Sequence, residues 1–119
     1  MSKRADFTAS DGIFRGEDKS LAMYIVNESG DPQTMTGWAL SWTLRRAASA
    51  SATVLTKTTG AGSITIGNGD GTDDRAIVTI LDTDTEALSA GTYEHALRRT
   101  DAGYEQVLAY GIFVLQDAA

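Results

Sequence analysis

The stretch DTDTEALSAGTYEH, residues 82–95, holds the side chains of this chain that are best suited to acid–base chemistry. A general acid or base needs a tuned pKa and hydrogen-bond reach to its substrate. His95, the one histidine, would meet that description if Asp82, Asp84 or Glu86 oriented it. However, the acids precede His95 on a separate predicted turn, and nothing in the spacing brings them together. The chain also has no G-x-S-x-G nucleophile motif. We therefore predict no catalytic residues and no enzymatic activity.

A second candidate is the turn GNGDGTDD, in which oxygen-bearing side chains alternate at Asn68, Asp70, Thr72 and Asp74. Calcium-binding loops use a similar spacing, but the distal glutamate of such loops is missing. Runs of glycine, asparagine and aspartate are usually simple turns. With one histidine and no cysteine, a transition-metal site is also disfavoured. The sequence therefore predicts no metal and no cofactor, and it leaves calcium binding by residues 68–74 as an alternative.

Two tryptophans form a third candidate site. Trp38 and Trp42 lie on one face of a predicted strand with Leu40 between them. If exposed, such a pair could stack on sugar rings, as in a carbohydrate-binding module. Leucine offers a sugar no stacking face, and aromatic side chains usually anchor the core of a small sandwich. The pattern favours a structural role for both tryptophans and keeps sugar binding as an alternative.

Length and charge narrow the class of protein. The chain has 119 residues, which suits one domain with one core. Its formal net charge of −6 argues against a nucleic-acid partner and against an anionic membrane surface. The start MSKRADFTAS leads into no apolar run, so it is not a secretory signal. We expect an intact product that folds in the cytoplasm of its host.

Short apolar runs that alternate with polar residues predict strands throughout the chain. Residues 47–52 read as a mobile loop, and Thr83 and Glu86 have the spacing of a capping box for one short helical turn. Seven or eight strands with regular turns indicate an antiparallel β-sandwich over residues 11–119, preceded by a flexible arm over residues 1–10. The predicted strands cover residues 20–27, 35–46, 53–59, 63–66, 75–81, 92–99 and 104–116.

The remainder of the opening stretch reads as a corner between sheets. Leu88 would close the end of the core, and Gly91 would redirect the chain into the next strand. Tyr93 then lies where sandwiches carry a tyrosine corner, with the hydroxyl bonded to upstream backbone. The following loop would place Gly103 in the left-handed region. That hairpin register sets Arg99 opposite Glu105, and Leu97 opposite Val107.

Residues 107–114 are apolar on both faces, which a half-buried strand should not be. The second face needs a cover, either the N-terminal arm with Phe7 or another subunit. The sequence leaves these two alternatives open. We therefore predict an interface formed by Lys3, Arg4, Phe7, Leu108, Tyr110 and Ile112.

The order of these motifs resembles a known family. The segments FRGEDKSLAMYIVNESGDPQTMTGWALSWTLRR, TDTEALSAGTYEHAL and AGYEQVLAYGIFVL resemble the N-terminal domain of the baseplate upper protein family of tailed phages. The resemblance runs from about Asp11 to Leu115. It implies an immunoglobulin-like β-sandwich that serves as a virion building block without catalysis. The structural positions that it transfers are Gly16, Gly30, Pro32, Gly37, Trp38, Gly91, Tyr93 and Gly111.

This chain departs from that family because it has no long region after the domain. A stand-alone domain suits a capsid decoration protein or a head–tail (neck) accessory, with a tail or baseplate component as the alternative. The expected partners are other virion proteins and further copies of the chain. The expected location is the virion.

Overall fold

The structure is a computed structural model that describes residues 3–46, 53–67 and 73–117. Eight strands, one 3-10 turn at Ala9–Asp11 and one short helix, α1, at Asp82–Thr85 make up its regular elements. The strands are β1 (Lys3–Arg4), β2 (Lys19–Tyr24), β3 (Leu40–Arg46), β4 (Thr53–Thr58), β5 (Ile64–Gly67), β6 (Arg75–Ile80), β7 (Gly91–Arg99) and β8 (Gln106–Leu115). Among these residues no helix is long and apolar enough to cross a membrane.

The strands form two sheets with the order β1-β8-β7-β3-β4 and β2-β6-β5. All strand pairs are antiparallel except β1 with β8. The smaller sheet, with the order β2-β6-β5, faces β3, β7 and β8 of the larger sheet. This is the strand order of an immunoglobulin-like sandwich. The all-β sandwich that the sequence predicts is confirmed.

Alternation of apolar and polar residues explains the core between the sheets. In β3, Leu40, Trp42 and Leu44 point inward and are buried, while the residues between them face outward. The same alternation buries Ala76, Val78 and Ile80 of β6. Each strand thus removes one apolar face from water, which is the main driving force for this fold.

The corner before β7 has the structure that the sequence predicts. Tyr93 is buried, and its hydroxyl donates a hydrogen bond of 2.6 Å to the Ser89 carbonyl. Leu88 packs against the core, and Gly91 has a φ of 152° that disfavours a side chain. These contacts fix the connection between the two sheets.

The cap of α1 differs from the prediction. The Leu81 N–H donates to Asp84 Oδ2 at 2.7 Å, so Asp84 closes the first turn instead of Glu86. Asp84 also forms an ion pair with Lys57, whose side chain points inward from the edge strand β4. Burial by itself raises the pKa of Asp84, but the hydrogen bonds from Lys57 and Leu81 outweigh it and lower the pKa. The pair fastens α1 to the larger sheet.

The β7–β8 hairpin also differs from its predicted register. Arg99 lies opposite Gln106, and Arg98 opposite Val107, because the connection is longer than three residues. A bulge follows, so that Leu108 and Ala109 both face the core. The left-handed conformation of Gly103 is confirmed by its φ of 86°. Leu108, 2% exposed, was a predicted interface residue, and that prediction is wrong.

Candidate functional site

An open groove of about 700 Å³ lies on the outer face of the larger sheet. We call it the sheet-face groove. Strands β3, β7 and β8 supply most of its lining, and β1 and β4 contribute at its edges. Its outward-facing lining residues are Arg4, Thr43, Arg45, Thr53, Glu94, Ala96, Arg98, Val107, Tyr110 and Ile112.

The groove is concave because its centre carries a small side chain. Ala96 of β7 lies between Thr43 on β3 and Tyr110 on β8 in the strand register. Val107 and Ile112 are half-buried, and Tyr110 is 41% exposed at the rim. The floor is therefore apolar and partly open to water, a combination typical of a surface that binds another molecule.

The charges around the groove are mainly positive, although the chain is acidic overall. Arg45 pairs with Glu94 at 3.6 Å, and Arg4 pairs with Asp6 at 3.1 Å. The Arg4 guanidinium also lies 5.8 Å from the centre of the Tyr110 ring. Arg98 is exposed and forms no ion pair within the described part of the chain. The groove thus has a surplus cation for an acidic group.

The N-terminal segment forms one border of the groove. The N–H groups of Ala5 and Phe7 donate to the carbonyls of Tyr110 and Ile112, at 2.8 and 2.9 Å. Phe7 packs against the core, with its ring 6.2 Å from that of Phe113. Residues 3–7 of the predicted arm therefore pair with the edge of β8 and pack Phe7 under it. The outer face of β8, with Tyr110 and Ile112, stays open in the groove, so a covering subunit there stays a prediction. The flexibility of the arm stays a prediction.

His95 holds this border from inside the sandwich. It is 3% exposed and lies opposite Gly111 in the strand register. Its Nδ1 accepts a 3.1 Å hydrogen bond from Trp42 Nε1, and its Nε2 donates to the Ala5 carbonyl. One buried ring therefore joins β3, β7 and the N-terminal segment.

The place of His95 in the fold explains its surroundings. In antibody domains the residue two positions after the tyrosine-corner tyrosine is a cysteine of the inter-sheet disulfide, packed against a buried tryptophan. Here the corner tyrosine is Tyr93, the residue two positions on is His95, and the buried tryptophan is Trp42. Hydrogen bonds and ring contacts thus occupy the position at which antibody domains have a covalent link.

This arrangement gives His95 a structural role. Its two ring nitrogens are bonded to Trp42 and Ala5, and burial lowers its pKa despite the opposing effects of Ala5 and Asp6. Asp84 is bound to Lys57, and Asp82 and Glu86 are exposed. Both ring nitrogens are bonded to other residues, so none of these acids orients the ring.

The candidate calcium loop and the predicted mobile loop lie largely outside the described residues. Residues 68–72 and 47–52 belong to those parts of the chain, so both predictions stay open. Asp74 is described and buried. Within residues 3–46, 53–67 and 73–117, no group of three or more histidine or carboxylate side chains could hold a metal ion.

The two tryptophans do not form a sugar-stacking pair. Trp42 is 0% exposed, so the prediction of a core role is confirmed for this residue and the paired platform is wrong. Trp38 precedes β3 and is half-buried. The Arg99 guanidinium lies between two rings, 3.8 Å from the centre of Trp38 and 4.7 Å from that of Tyr104. Trp38 therefore fastens the hairpin loop to the entry of β3.

The predicted interface residues thus lie in different parts of the structure. Arg4, Tyr110 and Ile112 line the groove, whereas Phe7 is part of the packing under it. Lys3 pairs with Ala109 through its backbone in β1. The other lining residues were not predicted, although the alternation of apolar and polar residues in β3 and β7 indicates which positions face outward. Those residues are Thr43, Arg45, Thr53, Glu94, Ala96, Arg98 and Val107.

The chain matches no protein-family model, and a search of curated proteins finds no match.

Proposed function

We propose that this chain is a non-enzymatic structural protein of a bacteriophage particle. It acts by protein–protein contacts, as a capsid decoration or head–tail accessory protein, with a tail or baseplate component as the alternative position. The sheet-face groove is the observation that carries the binding role. The order of the sequence motifs, which resembles phage baseplate domains, supports the viral setting.

The composition of the groove supports a protein partner. Binding energy in protein interfaces concentrates in tyrosine, tryptophan and arginine side chains around an apolar centre. The groove offers Tyr110, Arg4 and Arg98 around Ala96 and Ile112. A partner segment with a small apolar side chain and a neighbouring carboxylate would fit this floor and the surplus charge of Arg98.

The burial and the hydrogen bonds of His95 support a role without catalysis. A general base must be able to reach a substrate proton. His95 is buried and bonded at both nitrogens, so a substrate in the groove meets the arginines and Glu94 first. The arginines and Glu94 can bind and orient a partner molecule by ion pairs and hydrogen bonds.

The position in the particle is tested by the copy number of the chain in purified phage particles, measured by quantitative mass spectrometry. Hundreds of copies would support capsid decoration, and a few to a few dozen would support a neck, tail or baseplate position. Absence of the chain from particles would overturn the proposal.

The role of the groove is tested by filling it. Ala96→Trp places a large side chain at its centre, and we expect the variant to fold and to be lost from particles. Thr65→Trp, on the exposed face of β5, is the matched control and should be incorporated normally. Normal incorporation of a folded Ala96→Trp protein would show that binding uses another surface.

A further inference from the structure

Four strands of the sandwich have a neighbour on one side only. They are β1 and β4 in the larger sheet, and β2 and β5 in the smaller one. A strand at the edge of a sheet presents unpaired N–H and C=O groups to which another chain can add, so proteins usually protect such edges. The four edges of this domain differ in how well they are protected.

Three of the edges carry features that discourage pairing with another chain. β1 has two residues, both basic, and β5 has four residues and ends at Gly67. β4 has a register shift against β3 and an inward-pointing side chain, Lys57, which is paired with Asp84. Short length, positive charge, bulges and inward charges are all known ways to protect a strand edge.

β2 lacks this protection. Its six residues pair with β6 in an unbroken register, and they include no proline. Its one charged residue, Lys19, lies at the start of the strand. Ser20, Ala22 and Tyr24 are exposed, and no other described segment forms a backbone hydrogen bond with them from the side opposite β6. The edge of β2 is therefore open.

The hydrogen-bond pattern shows which backbone groups of β2 are free. The Ile25 N–H donates to the Asp74 carbonyl at 2.9 Å, and in an antiparallel ladder the bonded residues alternate along the strand. The odd-numbered residues of β2 therefore bond to β6, and the even-numbered ones point their N–H and C=O groups away from it. The free groups belong to Ser20, Ala22 and Tyr24.

Antiparallel pairing with β2 of a second copy gives all of these groups a partner. With Ala22 opposite Ala22 on a two-fold axis, Ser20 of each copy lies opposite Tyr24 of the other. Each of these opposed pairs exchanges two hydrogen bonds. The open edge is thus complementary to itself.

The side chains of β2 are compatible with the same register. On the core side, Leu21 of one copy lies opposite Met23 of the other, and both side chains are buried and apolar. Lys19 lies opposite Ile25, so like charges do not face each other across the pair. The strand contains no acidic residue, so the negative charge of the whole chain is not concentrated at this edge.

We propose that this chain forms a two-fold dimer through the open edge of β2, which joins the two smaller sheets into one continuous sheet. The sheet-face groove lies on the larger sheet, so each copy in the dimer keeps its groove accessible. That the dimer offers a partner two binding faces rests on the proposed function. The dimerisation itself is measured on the pure chain, so its failure and the failure of the proposed function are distinguishable.

Sedimentation velocity of the purified chain, from about 1 μM to about 1 mM, measures the dimerisation. We expect dimers and no larger species, because two-fold pairing occupies the open edge of both copies. Amide hydrogen exchange by NMR locates the contact. Protection of Ser20, Ala22 and Tyr24 should rise with protein concentration, whereas that of Thr56, whose N–H points away from β3, should not. A chain that stays monomeric throughout this range overturns the proposal, and so does a dimer in which the three β2 amides gain no protection.

Two proline variants test the backbone hydrogen bonds. Ala22→Pro removes the N–H on the axis but leaves the ladder to β6 intact, because that N–H points away from β6. The two lost hydrogen bonds should weaken dimerisation by roughly thirtyfold or more. Thr56→Pro makes the same change at the edge of β4 and should dimerise as the wild type does. Equal dimerisation of Ala22→Pro and the wild type would show that another surface is used.

A pair of charge variants tests the register without altering the backbone, and it keeps the proposal testable if Ala22→Pro does not fold. Ala22→Lys and Ala22→Glu each place like charges opposite each other on the axis, and each alone should dimerise roughly fivefold more weakly. An equimolar mixture should restore dimers with one copy of each, because opposite charges then face each other. If the mixture dimerises no better than either variant alone, Ala22 does not lie on the axis and the proposal is wrong.

Discussion

Replacing Gly111 with alanine tests whether the N-terminal segment lies directly over β8. The added Cβ would lie within 3.0 Å of the Ala5 carbonyl and of Asp6 Oδ1. Real Cβ atoms essentially never approach other atoms so closely, and the obstacle here is backbone, which cannot rotate away. The segment must therefore move outward or leave.

The cost of that movement can be estimated from the hydrogen bonds that it breaks. Two depend directly on the present path of the backbone, and they join Ala5 to Tyr110 and Ala5 to His95. At about 1 kcal/mol each, their loss lowers the free energy of unfolding by about 2 kcal/mol. Alanine in place of glycine recovers about 0.7 kcal/mol through the unfolded chain. The net loss of about 1 kcal/mol corresponds to a fall in Tm of roughly 5 °C for a domain of this size.

Urea unfolding and thermal unfolding of Gly111→Ala and Gly67→Ala measure this effect. Gly67 lies at the end of β5, and a Cβ built there meets no atom within 4 Å. The control variant should match the wild type or be slightly more stable. If Gly111→Ala is as stable as the control, residues 5 and 6 do not follow the path described.

Two further predictions concern the corner and the edge of the sandwich. Tyr93→Phe removes the 2.6 Å hydrogen bond to Ser89, and we expect it to lower the free energy of unfolding by about 1 kcal/mol. Urea unfolding measures this loss, with Tyr24→Phe at an exposed tyrosine as the control. An unchanged urea midpoint would show that the corner hydrogen bond contributes no net stability. In Asp84, burial raises the pKa, but the hydrogen bonds from Lys57 and Leu81 lower it further than burial raises it. The stability that this carboxylate supplies is therefore present above its ordinary pKa of 3.8 and is lost as the pH falls below it. In wild-type protein the urea midpoint of unfolding should fall as the pH is lowered through the acid range, and Asp84→Asn should make this fall smaller. If the variant shows the same fall as the wild type, other carboxylates cause it.

Much of the fold could be predicted because its strands repeat a local pattern. In β3 the alternation of Leu40, Trp42 and Leu44 with polar residues defines a buried face without reference to any distant segment. The tyrosine corner was readable for a similar reason, since Tyr93 has a fixed place after the turn that carries Leu88. These features depend on neighbours in the sequence.

The features that escaped prediction depend on distant contacts. The bulge at Leu108 adds a residue to β8, but both faces of this strand are apolar, so its sequence gives no sign of the change in register. The path of residues 3–7 is set by backbone hydrogen bonds, which any side chain allows. Gly111 was recognised as a structural position, yet only the register shows that it makes room for Ala5 beside His95.

The pairing of the N-terminal segment with β8 has a consequence for folding during synthesis. Asp6 and Ile112 share a hydrogen bond but are 106 residues apart in the chain. Contacts between such distant residues form slowly, and a ribosome delivers the N-terminal residues first. Residues 3–7 therefore leave the ribosome well before the strand that they join has been made. His95 and Trp42 can meet earlier, before the Ala5 carbonyl has docked beside the ring. The border of the groove is thus among the last parts of the domain to assemble, after the rest of the sandwich has become available to receive it.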